Sequence, residues 1–299
     1  MDSHKQPFNK PPSGIDEHIS LLKSRGLQFL DEVSACDSLK FIGYYKLRGY
    51  FIPFQVHGDA EHAFLQGTTF EKILEHYTFD SELRLLTLKA LEQIESALKA
   101  VLSDVMCLKF GSTWYIEEKF FSYSDRFAHL DYLISVREDL QTHKKTQFLT
   151  HYYNKYNEPE FPPSWMIFQI LSFGASSKLF KNLKTDYQKG TAQPFGFDHV
   201  LLASWFESLT VTRNICAHHS RLYNLTFSRS PKIADEHKHF VIKSGKFYAQ
   251  AIIIFALLKK INPSNTWNLE LKQLLRTHST IPLDWLGFPD NWETEKFWG

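Results

Sequence analysis

The stretch LEQIESALKAVLSDV, Leu91 to Val105, decides the architecture. Leu91, Ile94, Leu98, Val101 and Val105 recur at intervals of three and four, which places them on one face of an α-helix. The pattern continues to Gly111. Upstream, Thr68 stands three residues before Glu71, the capping-box spacing, so a long helical region is expected to open there. Phe79 to Arg84 (FDSELR) belongs either to the same helix or to a break before it.

The rest of the chain follows the same helical grammar. Ile15, Ile19 and Leu22 share a face in a short helix between Gly14 and Gly26, with Gly26 as its C-cap. A second short helix is predicted from Asp37 as N-cap, carrying Leu39, Ile42, Tyr45 and Leu47 toward Gly49. It is followed by a β-prone run that Pro53 closes. Residues 125–155 read as helical. Pro162 and Pro163 force a loop, since a proline pair does not sit in a helix interior, and Ser164 is the expected N-cap of a helix running to Leu183. Residues 190–197 read as a loop, and Asp198 as the cap of a further helix. A loop at 226–232, a buried helix from Ala249 to Leu258 and an irregular Trp-rich end, Trp285 to Trp292, complete the chain. Alternating βα units, glycine-rich phosphate loops, internal repeats and low-complexity segments are absent from the sequence. A mostly-α fold follows. The expected organisation is an arm and small helical unit at 1–62, a helical domain at 63–262 and an irregular Trp-rich extension at 263–299 packing on the core. A winged-helix-like adaptor is a further reading of the first unit.

Composition narrows the function. With 299 residues, 43% of them apolar and 22% charged, the chain can bury one substantial core or two modest ones. Its longest apolar run, Ala251 to Leu258, is far shorter than the roughly 20 residues a membrane span needs. The amino terminus has no apolar segment of the secretory kind, so a cytoplasmic location and no membrane partner are expected. The three cysteines, Cys36, Cys107 and Cys216, are odd in number and far apart, against a disulfide framework or a zinc knuckle, and read as small buried hydrophobes. A net charge of +1 excludes bulk electrostatic coating of nucleic acid and requires a local basic patch for any such binding.

The residues that carry chemistry are concentrated in RNICAHHSR, Arg213 to Arg221. On the helix from Asp198, Trp205, Leu209, Thr212 and Cys216 form one stripe, the core face. At about 100° per residue, Asn214 and His218 point away from that stripe, and being four apart they are neighbours. Arg213 lies to one side, within reach of the histidine through its long side chain. Three readings fit. The group is a polar helix end whose cations complement the C-terminal dipole. It is a metal site, although His218 and His219 diverge and no HExxH motif or cysteine pair supplies further ligands. Or it cleaves RNA without a metal. In that reaction the ribose 2′-OH attacks phosphorus, histidine moves protons near pH 7, arginine stabilises the phosphorane charge, and Asn214 orients the ring. The Arg-to-His spacing alone is weak, because nine arginines and fourteen histidines give about 1.3 chance matches. Arg137 to His143 is a second one.

The context is more specific. LTVTRNICAHHSRLYN, Leu209 to Asn224, resembles the signature of the Abi-like proteins, the abortive-infection family of bacterial phage defence, usually written LRNICAHHxRLWN. Other blocks also look like family blocks in family order. These are Lys10 to Pro12, Ile42 to Phe51, Phe79 to Arg84, Pro163 to Met166 with Leu171 to Gly174, and Leu286 to Trp292. Tyr223 stands where the family often has Trp, and Val211-Thr212 where Tyr-Leu is more usual.

The resemblance implies an HEPN-like helical bundle whose RxxxxH element forms an endoribonuclease site, typically composite across a two-fold dimer. Carried over, Arg213 and His218 are the catalytic pair and Asn214 the polar residue after the Arg. No metal or other cofactor is implied, and products end in a 2′,3′-cyclic phosphate or its hydrolysed form. One motif per chain implies a homodimer. RNA is the expected partner, as substrate and as a regulatory small noncoding RNA, with His219, Arg221, Lys46 and Arg48 as candidate RNA contacts and no DNA expected. A catalytically silent RNA-binding module, held by a small noncoding RNA or an antitoxin, is the alternative. Lys178, Lys181 and Lys184 are then either phosphate contacts or a solvated helix face.

Overall fold

The computed structural model describes residues 7, 9, 11–122 and 128–299. Lys10 of the Lys10–Pro12 block and residues 125–127 of the expected 125–155 helical stretch lie outside the described residues. Among the described residues the chain forms twelve α-helices and no strand, with isolated β-bridges at Gln28–Thr69, Gln55–Phe64 and Phe121–Leu183. It is mostly α. Two compact units are present, Met1–Glu82 and Leu83–Gly299, and one helix contributes residues to both.

In the first unit, α1 (Ile15–Ser24) buries Ile19 and Leu22. Its C-cap is Arg25, one residue before the expected Gly26. Gly26 sits just beyond at φ +89, where its N–H reaches Lys23 O (2.9 Å) and that of Leu27 reaches Leu22 O (3.1 Å). The helix expected from Asp37 instead starts at Glu32 and is two helices. Asp31 caps α2 (Glu32–Phe41) by accepting from Ser34 N at 3.1 Å, Gly43 at φ +92 breaks the chain, and α3 (Tyr44–Phe51) follows. The β-prone run is helical too. Leu47, Tyr50, Phe51 and Phe54 recur at helical spacing and are all buried, which overrides the local β preference of the aromatic residues. The segment after it folds back through an isolated antiparallel bridge, Gln55–Phe64.

The long helix is α4 (Phe70–Phe110), 41 residues. Residues 79–84 continue it without a break, and buried Asp80 accepts from Tyr50 OH at 2.5 Å. Its cap is one residue later than expected. Thr69 Oγ1 accepts from Lys72 N (3.2 Å), Thr68 donates to Leu65 O (2.7 Å), and Glu71 Oε1 accepts from Leu30 N and Asp31 N (3.0 Å each) instead of closing a capping box. Leu91, Ile94 and Leu98 are fully buried as expected. Beyond them the buried face passes to Leu102 and Met106, while Val101 and Val105 are half-buried.

The second unit adds α5 (His129–His143), α6 (Gln147–Lys155), α7 (Ser164–Ile170), α8 (Phe173–Asn182), α9 (Thr185–Ala192), α10 (His199–Ala217), α11 (Phe247–Ile261) and α12 (Trp267–Thr277). The helix read from Ser164 to Leu183 is α7 and α8, separated where Ser172 Oγ accepts from Ala175 N (3.1 Å). Ser164 is not a cap; its buried hydroxyl meets Ser103 Oγ at 3.0 Å. Residues 190–195 are helical to Ala192 and then a 3-10 turn, ending at Gly196 with φ +71. The segment read as irregular from 263 contains α12, whose Trp267 Nε1 donates to Leu86 O (3.1 Å). Phe247 to Leu258 of α11 are all buried. Trp298 stacks on Phe255 at 5.4 Å and donates its Nε1 to Tyr248 OH at 3.2 Å. Among the described residues no helix is long and apolar enough to cross a membrane.

Candidate functional site

α10 carries the motif, and both of its ends are built by local chemistry. Asp198 Oδ1 accepts from Val200 N at 2.8 Å, which holds its carboxyl below the usual carboxylate range. Trp205, Leu209, Thr212 and Cys216 are buried, as the stripe predicts. Trp205 Nε1 donates to Lys232 O (2.7 Å). Fully buried Gln250 of α11 accepts from Ser208 Oγ (3.1 Å) and Thr212 Oγ1 (3.2 Å) and donates to Ser208 Oγ (2.8 Å). A satisfied polar cluster in an apolar contact fixes the rotation of α10 against α11. Exposed groups on the other side of α10 are therefore fixed as well.

The helix stops inside the motif. His218 is the C-cap, and its N–H bonds to Asn214 O (3.0 Å). His219 follows at φ +54, with its N–H on Cys216 O (3.1 Å), and Ser220 N closes on Ile215 O (2.9 Å). This is a Schellman closure with histidine where glycine is usual.

Asn214 and His218 are exposed, as the facing argument expects, and Arg213 is half-buried. The side-chain links differ from the expectation. Arg213 Nη1 donates to Asn214 Oδ1 (3.3 Å), and Arg213 Nε lies 3.7 Å from Glu95 Oε2. Among the described residues no side-chain hydrogen bond joins Asn214 to His218; the Asn214 side chain meets the arginine instead. Glu95 Oε1 also accepts from Lys99 Nζ at 2.7 Å, both side chains being 16% exposed. The cluster opens on a groove of about 640 Å³ between α4, α7 and α10, lined by Glu95, Lys99, Trp165, Gln169, Arg213 and Ala217 among others. His218 stands outside that groove. The sequence reading missed Glu95 and Lys99. Their i, i+4 spacing was visible, but nothing local shows which helix they face.

The other candidates are dispersed. Arg221 is half-buried beside Lys246, whose amine is pushed below the usual lysine range by burial first and then by Lys243 and Arg221. Lys46 and Arg48 lie on α3 in the first unit. Lys181 pairs with Glu207 (2.8 Å), and Lys184 precedes α9. Cys216 is buried, while Cys36 and Cys107 are half-buried.

The family model described as Abi-like protein matches residues 37–224, well over half of the chain, and its last matched residue is the last of the motif. The chain belongs to the Abi-like family. The match takes in α3, α4 and all of α10, and so includes Glu95, Arg213, Asn214 and His218. Lys10–Pro12 and Leu286–Trp292 lie outside it. Membership associates this Abi-like chain with abortive infection, a phage-defence response. No curated protein and no solved structure matches it.

Proposed function

We propose that this Abi-like protein is a metal-independent endoribonuclease of phage defence, acting through Arg213 and His218 in a homodimer. The observation that carries the reading is the end of α10. An exposed imidazole at the C-cap follows by five residues a guanidinium held by Asn214 and Glu95, on a helix whose rotation is fixed by Gln250. In the reaction the ribose 2′-oxygen bonds to phosphorus and the bond from phosphorus to the 5′-oxygen breaks. One histidine accepts the 2′-hydroxyl proton, and a second copy of the chain supplies the histidine that protonates the leaving 5′-oxygen. Arg213 uses Nε and Nη1 in the protein, and its remaining amino group donates to the phosphorane oxygens. The products are a 2′,3′-cyclic phosphate and a 5′-hydroxyl. Purified protein is expected to cut RNA in EDTA, with Arg213→Ala and His218→Ala each inactive at an unchanged melting temperature. Undiminished cutting by both variants refutes the assignment.

One observation favours a second reading, a silent RNA-binding module complexed with a small noncoding RNA or an antitoxin. Arg213 is already paired with Glu95 within a single chain. Tight, salt-sensitive RNA binding without cleavage products supports this reading over the first.

A further inference from the structure

We propose that the amino-terminal unit carries a separate binding groove for single-stranded RNA, centred on Tyr45 and Arg48. The choice of RNA over DNA rests on the function proposed above; the groove itself is read from its own residues. It has a volume of about 670 Å³ and is lined by Arg25, Tyr44, Tyr45, Arg48, His57 and His62 among others. These come from the end of α1, the first turns of α3 and the loop before Phe64.

Tyr45 is 85% exposed in a protein whose other rings largely pack against one another. Tyr44 beside it is held by His18, ring on ring at 4.1 Å and 2°. Arg48 follows Tyr44 by four residues and Tyr45 by three, so the guanidinium and the two rings share a helix face. Two histidines add ring nitrogens, and two arginines line the groove against one carboxylate, Asp59, whose Oδ2 is taken by Ala63 N at 2.6 Å. That bond closes the loop in which His62 adopts φ +58, a left-handed conformation uncommon for a non-glycine residue. The exposed Tyr45 ring beside guanidinium groups suits a base and its phosphate together. A duplex hides its base faces, so the ligand is single-stranded.

The test uses the full chain and a fluorescent single-stranded RNA dodecamer, with the same sequence as DNA and as duplex RNA for comparison. Tyr45→Ala and Arg48→Ala are expected to weaken binding at least about tenfold, and Tyr45→Phe to keep it. Arg48→Ala should also make the salt dependence shallower by about one ion. Both positions are exposed, and thermal melts confirm the fold. Binding by both alanine variants equal to that of wild type overturns the groove, as does duplex RNA bound as tightly as the single strand. Preference for the DNA strand overturns the choice of RNA. Binding that depends on Tyr45 and Arg48 without any cutting keeps the groove and removes the nuclease. Normal cutting by both groove variants at unchanged KM removes the groove and keeps the nuclease.

Discussion

The Glu95 carboxylate lies 3.7 Å from Arg213 Nε while its other oxygen holds Lys99 Nζ at 2.7 Å. An acid poised between two cations on the wall of a groove sets where the guanidinium can reach. For an anionic substrate it also subtracts attraction. Glu95→Gln should therefore separate the two effects, lowering kcat about tenfold through loss of orientation while RNA binds as tightly or more tightly. Single-turnover cleavage with a parallel binding titration checks this. A raised KM at unchanged kcat would show that Glu95 serves binding alone.

His219 occupies φ +54 at the helix end. A β-branched residue there should cost about 1–2 kcal/mol, so His219→Val should lower the urea midpoint, while His219→Gly should match or exceed wild type. If His219→Gly also cuts RNA normally, the histidine closes a helix and does not contact substrate.

Gln250 holds both hydroxyls that α10 turns toward α11. Gln250→Leu removes the amide that both meet, leaving Ser208 Oγ with Arg229 O and Thr212 Oγ1 with Ser208 O, and should destabilise the protein by about 1 kcal/mol. Ser208→Ala combined with Thr212→Val on that background should recover most of the loss by calorimetry. No recovery would mean that volume, not hydrogen bonding, governs the position.

Acid should weaken the fold through His76. Burial beside Phe54 lowers its pKa to about 4, with Glu75 opposing and Lys72 adding to the shift. Between the ordinary histidine value and about 4, the unfolded chain binds a proton that the folded chain refuses. Stability is thus whole above about pH 6.5 and falls as pH drops toward 4, by on the order of 3 kcal/mol. His237, also lowered by burial, acts in the same direction. His76→Gln should flatten the melting temperature across this window, and an unaltered slope would assign the acid loss elsewhere.

What could be read without the structure was whatever has a period. Leu91, Ile94 and Leu98 on α4, and the stripe from Trp205 to Cys216 on α10, are buried as their spacing requires. The outward position of Asn214 and His218 followed from the same geometry. Breaks were harder. Gly43 and Ser172 each divide one apparent helix into two, since both partners keep the apolar rhythm across the gap. Asp37 suits an N-cap by residue type, but the bond from Ser34 N goes to Asp31. The link from Arg213 to Glu95 spans more than a hundred residues of sequence, and no local pattern encodes it.

The buried length of α11 has a consequence in time. The motif helix is complete at Ala217, yet Gln250, which orients it, and Trp298, which packs on Phe255 of α11, come later in the chain. Synthesis runs from the amino terminus, so a nascent chain that already contains Arg213 and His218 lacks the partner that aims them. The end of α10 that carries Arg213 and His218 therefore gains its packing partner only after α11 has been made.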